Sequence, residues 1–447
     1  MKRLARHLLT IAISLFAIVA FANTPEWIRG YPLYEVYIRS ASPSGDFQGF
    51  QERLGSIREL GIQNLWLMPI FPLGIEGRKG TYGSPYAVRD YLIPNPEFGD
   101  SLAFRSLVAK SHGMQMRVIL DWVANHSAND HILMKEHPDW WMKDANGNFT
   151  REVADWSDIS DFNFAVPAMR QYMTDALHLW LIGYNVDGFR FDVAGMVPAD
   201  YWKSALSSLR KEKPGALFLA EAYGDEYSSL GFHSMYDWPL YHSLKANVQG
   251  KIGADSLRSY LTAFELRTDS SFFVMRFLEN HDEQRAVEAF GKEKLPAYIG
   301  LIFGLPGVPL LYNGQEIGAT YKPSLFEKEP IDWNQVNIVL YTQYKNWIHW
   351  RNSLPSLRTG KLQWIETPEF VNEGLAFTRT EGNETSVVVT NLSDKAIDVT
   401  IPKTLPNGLT ATKLREAIGM QLVDLDWKGT VTIRLQPWSA RLLVAKP

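Results

Sequence analysis

Residues 186–194 read VDGFRFDVA. The stretch is apolar enough to be a strand buried on both faces. Yet it carries Arg190 and Asp192, two residues apart and therefore on the same face of a strand. Charges are costly to bury unpaired, so packing alone explains this run poorly. Three other apolar runs end in the same way. VILDWVANH (118–126) brings Asp121, Asn125 and His126, LFLAEAY (217–223) brings Glu221, and RFLENHDEQR (276–285) brings Glu279, Asn280, His281 and Asp282. Polar clusters at the carboxyl ends of buried parallel strands belong at the mouth of a closed (β/α)₈ barrel, where active sites sit.

The rest of the chain fits that frame. Apolar runs LYEVYI (33–38), NLWLMPIF (64–71) and GVPLLYNG (307–314) add three strands, and SMYDWPL (234–240) supplies an eighth, weaker one. Amphipathic stretches lie between them. In FQGFQERLGSIREL (47–60), Phe50, Leu54, Ile57 and Leu60 share a face, and Gly61 follows as a helix stop. Other helices are predicted at Leu102–Lys110, Ala168–Ile182 and Tyr201–Leu209. Alternating strands and helices imply a mainly parallel sheet. The alternative, an open doubly wound sheet, lacks a glycine-rich phosphate loop after its first strand. Spacing favours the barrel: 29 positions separate Asp192 from Glu221, against roughly 31 per barrel unit, and 61 separate Glu221 from Asp282, about two units. His126 to Asp192 is too long by about one unit, so residues 127–165 are predicted to form a small excursion between the third strand and its helix.

The predicted organisation is a catalytic barrel over 23–355, with 127–165 inserted in it, and a C-terminal β-sandwich over 360–447. In that tail, LAFTRT, TSVVVTNL, AIDVTI, GTVTIRL and ARLLVA alternate apolar and polar residues, punctuated by Gly382-Asn383, Ser393-Asp394 and Asn407-Gly408. At the other end, MKRLARH precedes a 14-residue uncharged run, Leu8 to Phe21, and Ala20-Phe21-Ala22 fits a small-x-small cleavage site. Residues 1–22 therefore read as a signal peptide, which predicts a secreted or periplasmic protein with no membrane attachment after cleavage. A retained anchor is the alternative; the run is short for a span of ~20 residues.

Composition excludes several classes. The 447 residues are 46% hydrophobic and 21% charged, which rules out wholesale disorder. The net charge of −4 gives no basic excess for nucleic acid or an anionic membrane. With no cysteine, there are no disulfides, thiolate metal sites or cysteine nucleophiles. Any metal must be held by oxygen or imidazole. Fifteen Trp and 19 Tyr serve either as core or as stacking platforms for flat ligand faces.

Three carboxylates converging on one pocket push their pKa values apart, so one stays protonated while another stays ionised. Glycosidic bond cleavage needs that split: an acid for the leaving oxygen and a nucleophile or base at the anomeric carbon. Arg190 faces the same way as Asp192 and can keep it ionised. A buried ion pair explains any one such residue, but not four clusters at barrel spacing.

These segments resemble, in order, the signature regions of the α-amylase family, glycoside hydrolase family 13. DWVANH is similar to its first region, GFRFDVA to its second, LAEAY to its third and FLENHD to its fourth, while SDISDFN (157–163) resembles the short motif between the first two. The likeness runs from about Tyr34 to Arg351. It implies that Asp192 is the nucleophile, Glu221 the acid/base and Asp282 the third carboxylate. It also implies that His126, His281 and Tyr86 (in GSPYAVRDY) contact the sugar and that Arg190 orients Asp192. Asn125 and Asp161 match two of the family's calcium ligands by position, with capping or substrate contact as alternatives for each. No organic cofactor is implied, and calcium is optional. The implied function is a retaining α-glucan hydrolase acting on α-1,4 bonds in starch or maltooligosaccharides. Ala194 and Gly195 stand where many α-amylases have Lys and His, and Val193 occurs in enzymes acting on α-1,6 bonds and in some maltogenic ones. A glucanotransferase or α-1,6-acting glucosidase on this scaffold, and a non-catalytic glucan-binding protein, are the alternatives. The last loses ground because all three carboxylates are present.

Overall fold

The near-continuous apolar runs become barrel strands because each is covered on both faces, by the barrel interior and by the helical ring. The computed structural model describes residues 24–265, 272–425 and 430–446. The predicted signal peptide, 1–22, lies outside the described residues. Eight parallel strands close into a barrel in chain order: Leu33–Val36, Asn64–Leu67, Arg117–Val123, Gly188–Asp192, Leu217–Ala220, Ser234–Tyr236, Phe273–Arg276 and Val308–Tyr312. Closure is direct, since Leu33 of the first strand pairs with Asn64 of the second and Leu310 of the eighth. The weak SMYDWPL run supplies the sixth strand from its first three residues only; Asp237 then caps the helix Trp238–Val248.

The helix Phe47–Leu60 shows why local sequence suffices for part of this architecture. The Asp46 side chain accepts a hydrogen bond from Gly49 N at 2.8 Å, and Gly61 ends the helix at φ 105°, a conformation that costs glycine little. Phe47, Phe50, Leu54, Ile57 and Leu60 are buried. The helix predicted over Ala168–Ile182 differs in detail. The α-helix is Pro167–His178, and Leu179–Gly183 form a wider π-type turn. That turn swings Trp180 fully inward, where Nε1 donates to Tyr91 O at 2.6 Å and the ring stacks on Tyr184 at 4.2 Å.

Between the third strand and the helix Pro167–His178 lies the excursion. Its His126–Ala128 and Ile159–Asp161 strands pair antiparallel. The tail forms a six-stranded antiparallel sheet with a second, two-stranded layer, Ile397–Pro402 with Thr430–Leu435. Val387, Val389 and Leu443 from the first layer and Val399, Ile401 and Leu435 from the second share one core. The other face of the large sheet, through Phe377, Val388 and Leu442, joins the barrel's core. There the helix Leu295–Gly304, buried except at Pro296, touches it through glycines: a Cβ on Gly300 would lie 2.2 Å from Ala440 Cβ. Among the described residues no helix is long and apolar enough to cross a membrane.

Candidate active site

Arg190 is the centre of the barrel mouth. It is fully buried, and alternation along the fourth strand puts it and Asp192 on the inner face. Nη1 donates to Asp121 Oδ1 at 2.8 Å and to Asp192 Oδ1 at 2.9 Å. Nη2 lies 2.8 Å from Glu221 Oε1, and Nε donates to the Tyr236 hydroxyl at 2.9 Å. One guanidinium thus holds carboxylates from the third and fourth strands and from the end of the fifth. Their charge, Asp121 and Glu221 foremost, outweighs burial and raises the proton affinity of Arg190, so it stays a cation.

Asp192 is pushed well above the usual carboxylate range by burial; Arg190 opposes this, while Glu221, Asp121 and Asp282 reinforce it. Burial likewise lifts Asp121 to about 6 against the pull of Arg190. Asp192 and Asp121 therefore hold protons more tightly than free carboxylic acids. The residue after Asp192 adds a second device. Val193 adopts φ 36°, a strained left-handed conformation for a β-branched residue. That conformation aims its N–H at Glu221 Oε2, 2.7 Å away.

A second chain of contacts runs to Asp282. Its Oδ2 lies 3.3 Å from His281 Nε2. His281 Nε2 is 2.6 Å from the Tyr86 hydroxyl, and that hydroxyl is 3.2 Å from Asp121 Oδ2. Tyr86 stacks on the His281 ring at 5.4 Å. The structure thus brings Asp192, Glu221, Asp282, Tyr86, Arg190 and His281 into one connected set. Asp282 is its open end, with 45% of its side chain exposed against 9% for Asp192 and 14% for Glu221. His126 is buried beside this set. It bonds to the backbone of Tyr86, its ring is 5.2 Å from that of Trp156, and burial pushes it down to about 3.

Asn125 and Asp161 are adjacent but do not fit a calcium cage. Calcium takes six to eight oxygens. The Asp161 carboxylate already accepts hydrogens from Glu152 N at 2.6 Å and Asn125 Nδ2 at 3.4 Å. Among the described residues no group of three or more His, Asp or Glu could hold a metal. Lys79, from the loop after the second strand, is one of the ties to the excursion. Its Nζ donates to Asp155 O at 2.8 Å and lies 3.2 Å from Asp158 Oδ1.

Three members of the site were not among the residues singled out from sequence. Trp66 donates from Nε1 to Asp121 Oδ2 at 3.2 Å, and Tyr236 accepts from Arg190. Both look like core aromatics in an apolar run, with no sequence signal. Glu35, whose Oε1 meets His281 Nδ1, does carry one: a charge inside LYEVYI.

Residues 21–353 match the family described as the α-amylase catalytic domain. The chain belongs to the α-amylase family, glycoside hydrolase family 13. It is thereby a glycoside hydrolase of the retaining type. Among its relatives in the family, an α-amylase of Haloarcula japonica is 27% identical over 433 residues; the match covers 92% of this chain but 62% of that protein. Two solved structures are similar nearly end to end. A maltogenic α-amylase from Thermotoga neapolitana is 28% identical, with a TM-score of 0.86 and coverage of 94% of this chain and 99% of that one. An α-amylase from Lactobacillus plantarum is 30% identical, with a TM-score of 0.84 and the same coverage.

Proposed function

We propose that the protein hydrolyses α-1,4-glucosidic bonds in starch-type glucans or maltooligosaccharides through a covalent bond between the sugar and Asp192. The observation that carries this reading is the sharing of Arg190 by Asp192 and Glu221. Two carboxyl groups on the two arms of one guanidinium sit close, which suits the ~5–5.5 Å of a retaining pair better than the ~6.5–9.5 Å of an inverting one. Glu221 donates its proton to the glycosidic oxygen while an Asp192 oxygen attacks the anomeric carbon. The carbon–oxygen bond breaks and the leaving glucan departs as an alcohol. Glu221, now a carboxylate, takes a proton from water, and the water oxygen displaces Asp192 from the sugar. Asp282, at the open end of the set, meets the sugar hydroxyls together with His281 and His126, and Tyr86 offers its ring. Even with Glu221 carrying its proton, Glu35, Asp121, Asp192 and Asp282 outnumber the cations Arg190, His281 and Lys322, so the field favours the positive charge that develops on the sugar.

Asp192→Asn should lower turnover of maltooligosaccharides by roughly 10⁴-fold or more while leaving thermal unfolding close to that of the parent. Proton NMR of the first product should show the α-anomer. Retained turnover, or β-anomer first, would overturn the assignment. A product profile on amylose, pullulan and isomaltose reads the bond preference.

Products longer than the substrate would mark glucanotransfer in place of hydrolysis. The N-terminal pattern of residues 1–22 supports export of the mature enzyme, which N-terminal sequencing of the protein from its native host tests.

A further inference from the structure

We propose that Glu35 is a positioning residue of the active site, holding His281 doubly protonated with its Nε2–H turned to Tyr86 and Asp282 at the edge of the sugar pocket. The proposal rests on the reading of this pocket as a sugar site and adds a residue to it. Glu35 lies on the first barrel strand, far in sequence from the four carboxylate-bearing segments. It is fully buried, and among the described residues its one ion pair is with His281. Its Oε2 has no hydrogen-bond partner there. A buried carboxylate of this kind is costly unless a cation faces it.

Counting protons identifies that cation. Asp121 accepts from Arg190 on Oδ1 and from the Trp66 indole on Oδ2. Tyr86 donates its single proton to the same Oδ2 at 3.2 Å. The Tyr86 oxygen, 2.6 Å from His281 Nε2, must then receive a hydrogen from that nitrogen. On the opposite edge of the ring, Nδ1 faces a carboxylate, which accepts. Both ring nitrogens carry hydrogen, so His281 is an imidazolium whose charge Glu35 offsets.

The groups facing His281 agree with this. Glu35 on the first strand and Asp282 beside it favour the charged ring. Arg190 on the fourth strand opposes it, Tyr86 stacks on one face, and Trp66 on the second strand presents its ring edge-on at 5.9 Å. Lys322, from the loop after the eighth strand, donates to Asp282 O at 2.5 Å and lies within the field of Glu35. Burial alone would depress His281, but Asp282 and Glu35 overcome it and raise the ring to about 9. His126, buried and bonded to the Tyr86 backbone with no carboxylate among the causes of its shift, is pushed down by burial to about 3. A charged N–H binds a hydroxyl about twice as strongly as a neutral one, and Glu35 makes that donor persist above neutral pH.

The test is an NMR titration of the full-length protein carrying ¹⁵N-labelled histidine, with the His281 signals assigned by their loss in His281→Gln. At pH 7.5 in the parent protein, both ring nitrogens should be protonated. In Glu35→Gln the His281 midpoint should fall by at least one pH unit, and the alkaline limb of kcat/KM should fall with it. A neutral His281 in the parent at pH 7.5 would overturn the proposal, and so would an unmoved midpoint in Glu35→Gln. Lower thermal stability with both titration and pH profile unchanged would reduce Glu35 to a structural acid. If Glu35→Gln does not fold, the parent spectrum still decides. The titration needs no substrate, so a protein inactive on every glucan would sink the cleavage reading without touching this one.

Discussion

Two arginines, both wholly buried, sit at opposite ends of the barrel and are accommodated in opposite ways. At the mouth, Arg190 is ringed by Asp121, Asp192 and Glu221. At the base, Arg351 meets, among the described residues, backbone carbonyls alone: Gly30 at 2.7 Å, Phe303 at 2.8 Å, Leu305 at 2.7 Å, and Gly307. Carboxylates raise the proton affinity of the first, whereas burial, then Arg379, Arg276 and Arg358, lowers that of the second. Carbonyl dipoles pin chain segments without adding reactive groups. Carboxylates add reactive groups and must be held apart from water and from one another. The base of a barrel can thus be built for stability while the mouth spends stability on chemistry.

The sharpest way to break this comparison is to remove each arginine. Arg190→Met should lower kcat by roughly 10³-fold, because the nucleophile and the acid lose their shared anchor. Arg351→Met should leave kcat per folded molecule near the parent value and cost about 3 kcal/mol or more of stability, since several buried carbonyls lose their donor. Thermal melts and kinetics on the same samples separate the two. Equal losses of activity from both would erase the distinction.

Histidines extend the contrast to pH. His281 at the mouth is raised to about 9, so the folded state binds a proton the unfolded chain gives up. Its stabilisation is complete below an unfolded pKa near 6.5 and is lost as pH rises through about 9. His233, at the base before the sixth strand, is pushed down to about 3 by burial, with Arg210 adding to it. Its contribution is lost as pH falls below about 6.5. Glu35→Gln should flatten the alkaline side of a stability–pH curve and leave the acid side unchanged. His233→Gln should do the reverse.

The smallest effect concerns the excursion. Lys79 is partly exposed, so Lys79→Met should cost only ~0–1 kcal/mol. Incubation with a calcium chelator should leave the melting temperature and kcat unchanged. A fall of several degrees on chelation would show that oxygen ligands other than Asn125 and Asp161 assemble a cation site.

Legibility in the sequence followed the cost of burial. Asp192, Glu221, Asp282, Arg190 and His281 stood out because charge or imidazole at the end of an apolar run has no cheap structural explanation. Glu35 offered the same signal more faintly, as one acid in a six-residue strand without a polar cluster after it. Trp66 and Tyr236 could not be singled out at all. An aromatic in a buried strand is ordinary, and its indole or hydroxyl becomes part of the site only once Asp121 and Arg190 are placed beside it. The π-type turn at Leu179–Gly183 escaped for a related reason: the inward swing of Trp180 depends on Tyr91, nearly ninety positions earlier.

Alternation of period and spacing thus sufficed for the barrel, the inserted excursion, the trailing sheet and the identity of the acids at the mouth, since those follow from local hydrophobicity and chain length. Which acid shares which cation, which ring carries two protons, and whether Asn125 and Asp161 face oxygens or N–H groups were decided by tertiary structure alone. Such contacts join side chains from different strands at hydrogen-bond range, and their energies depend on separations of a few tenths of an ångström that no linear pattern encodes.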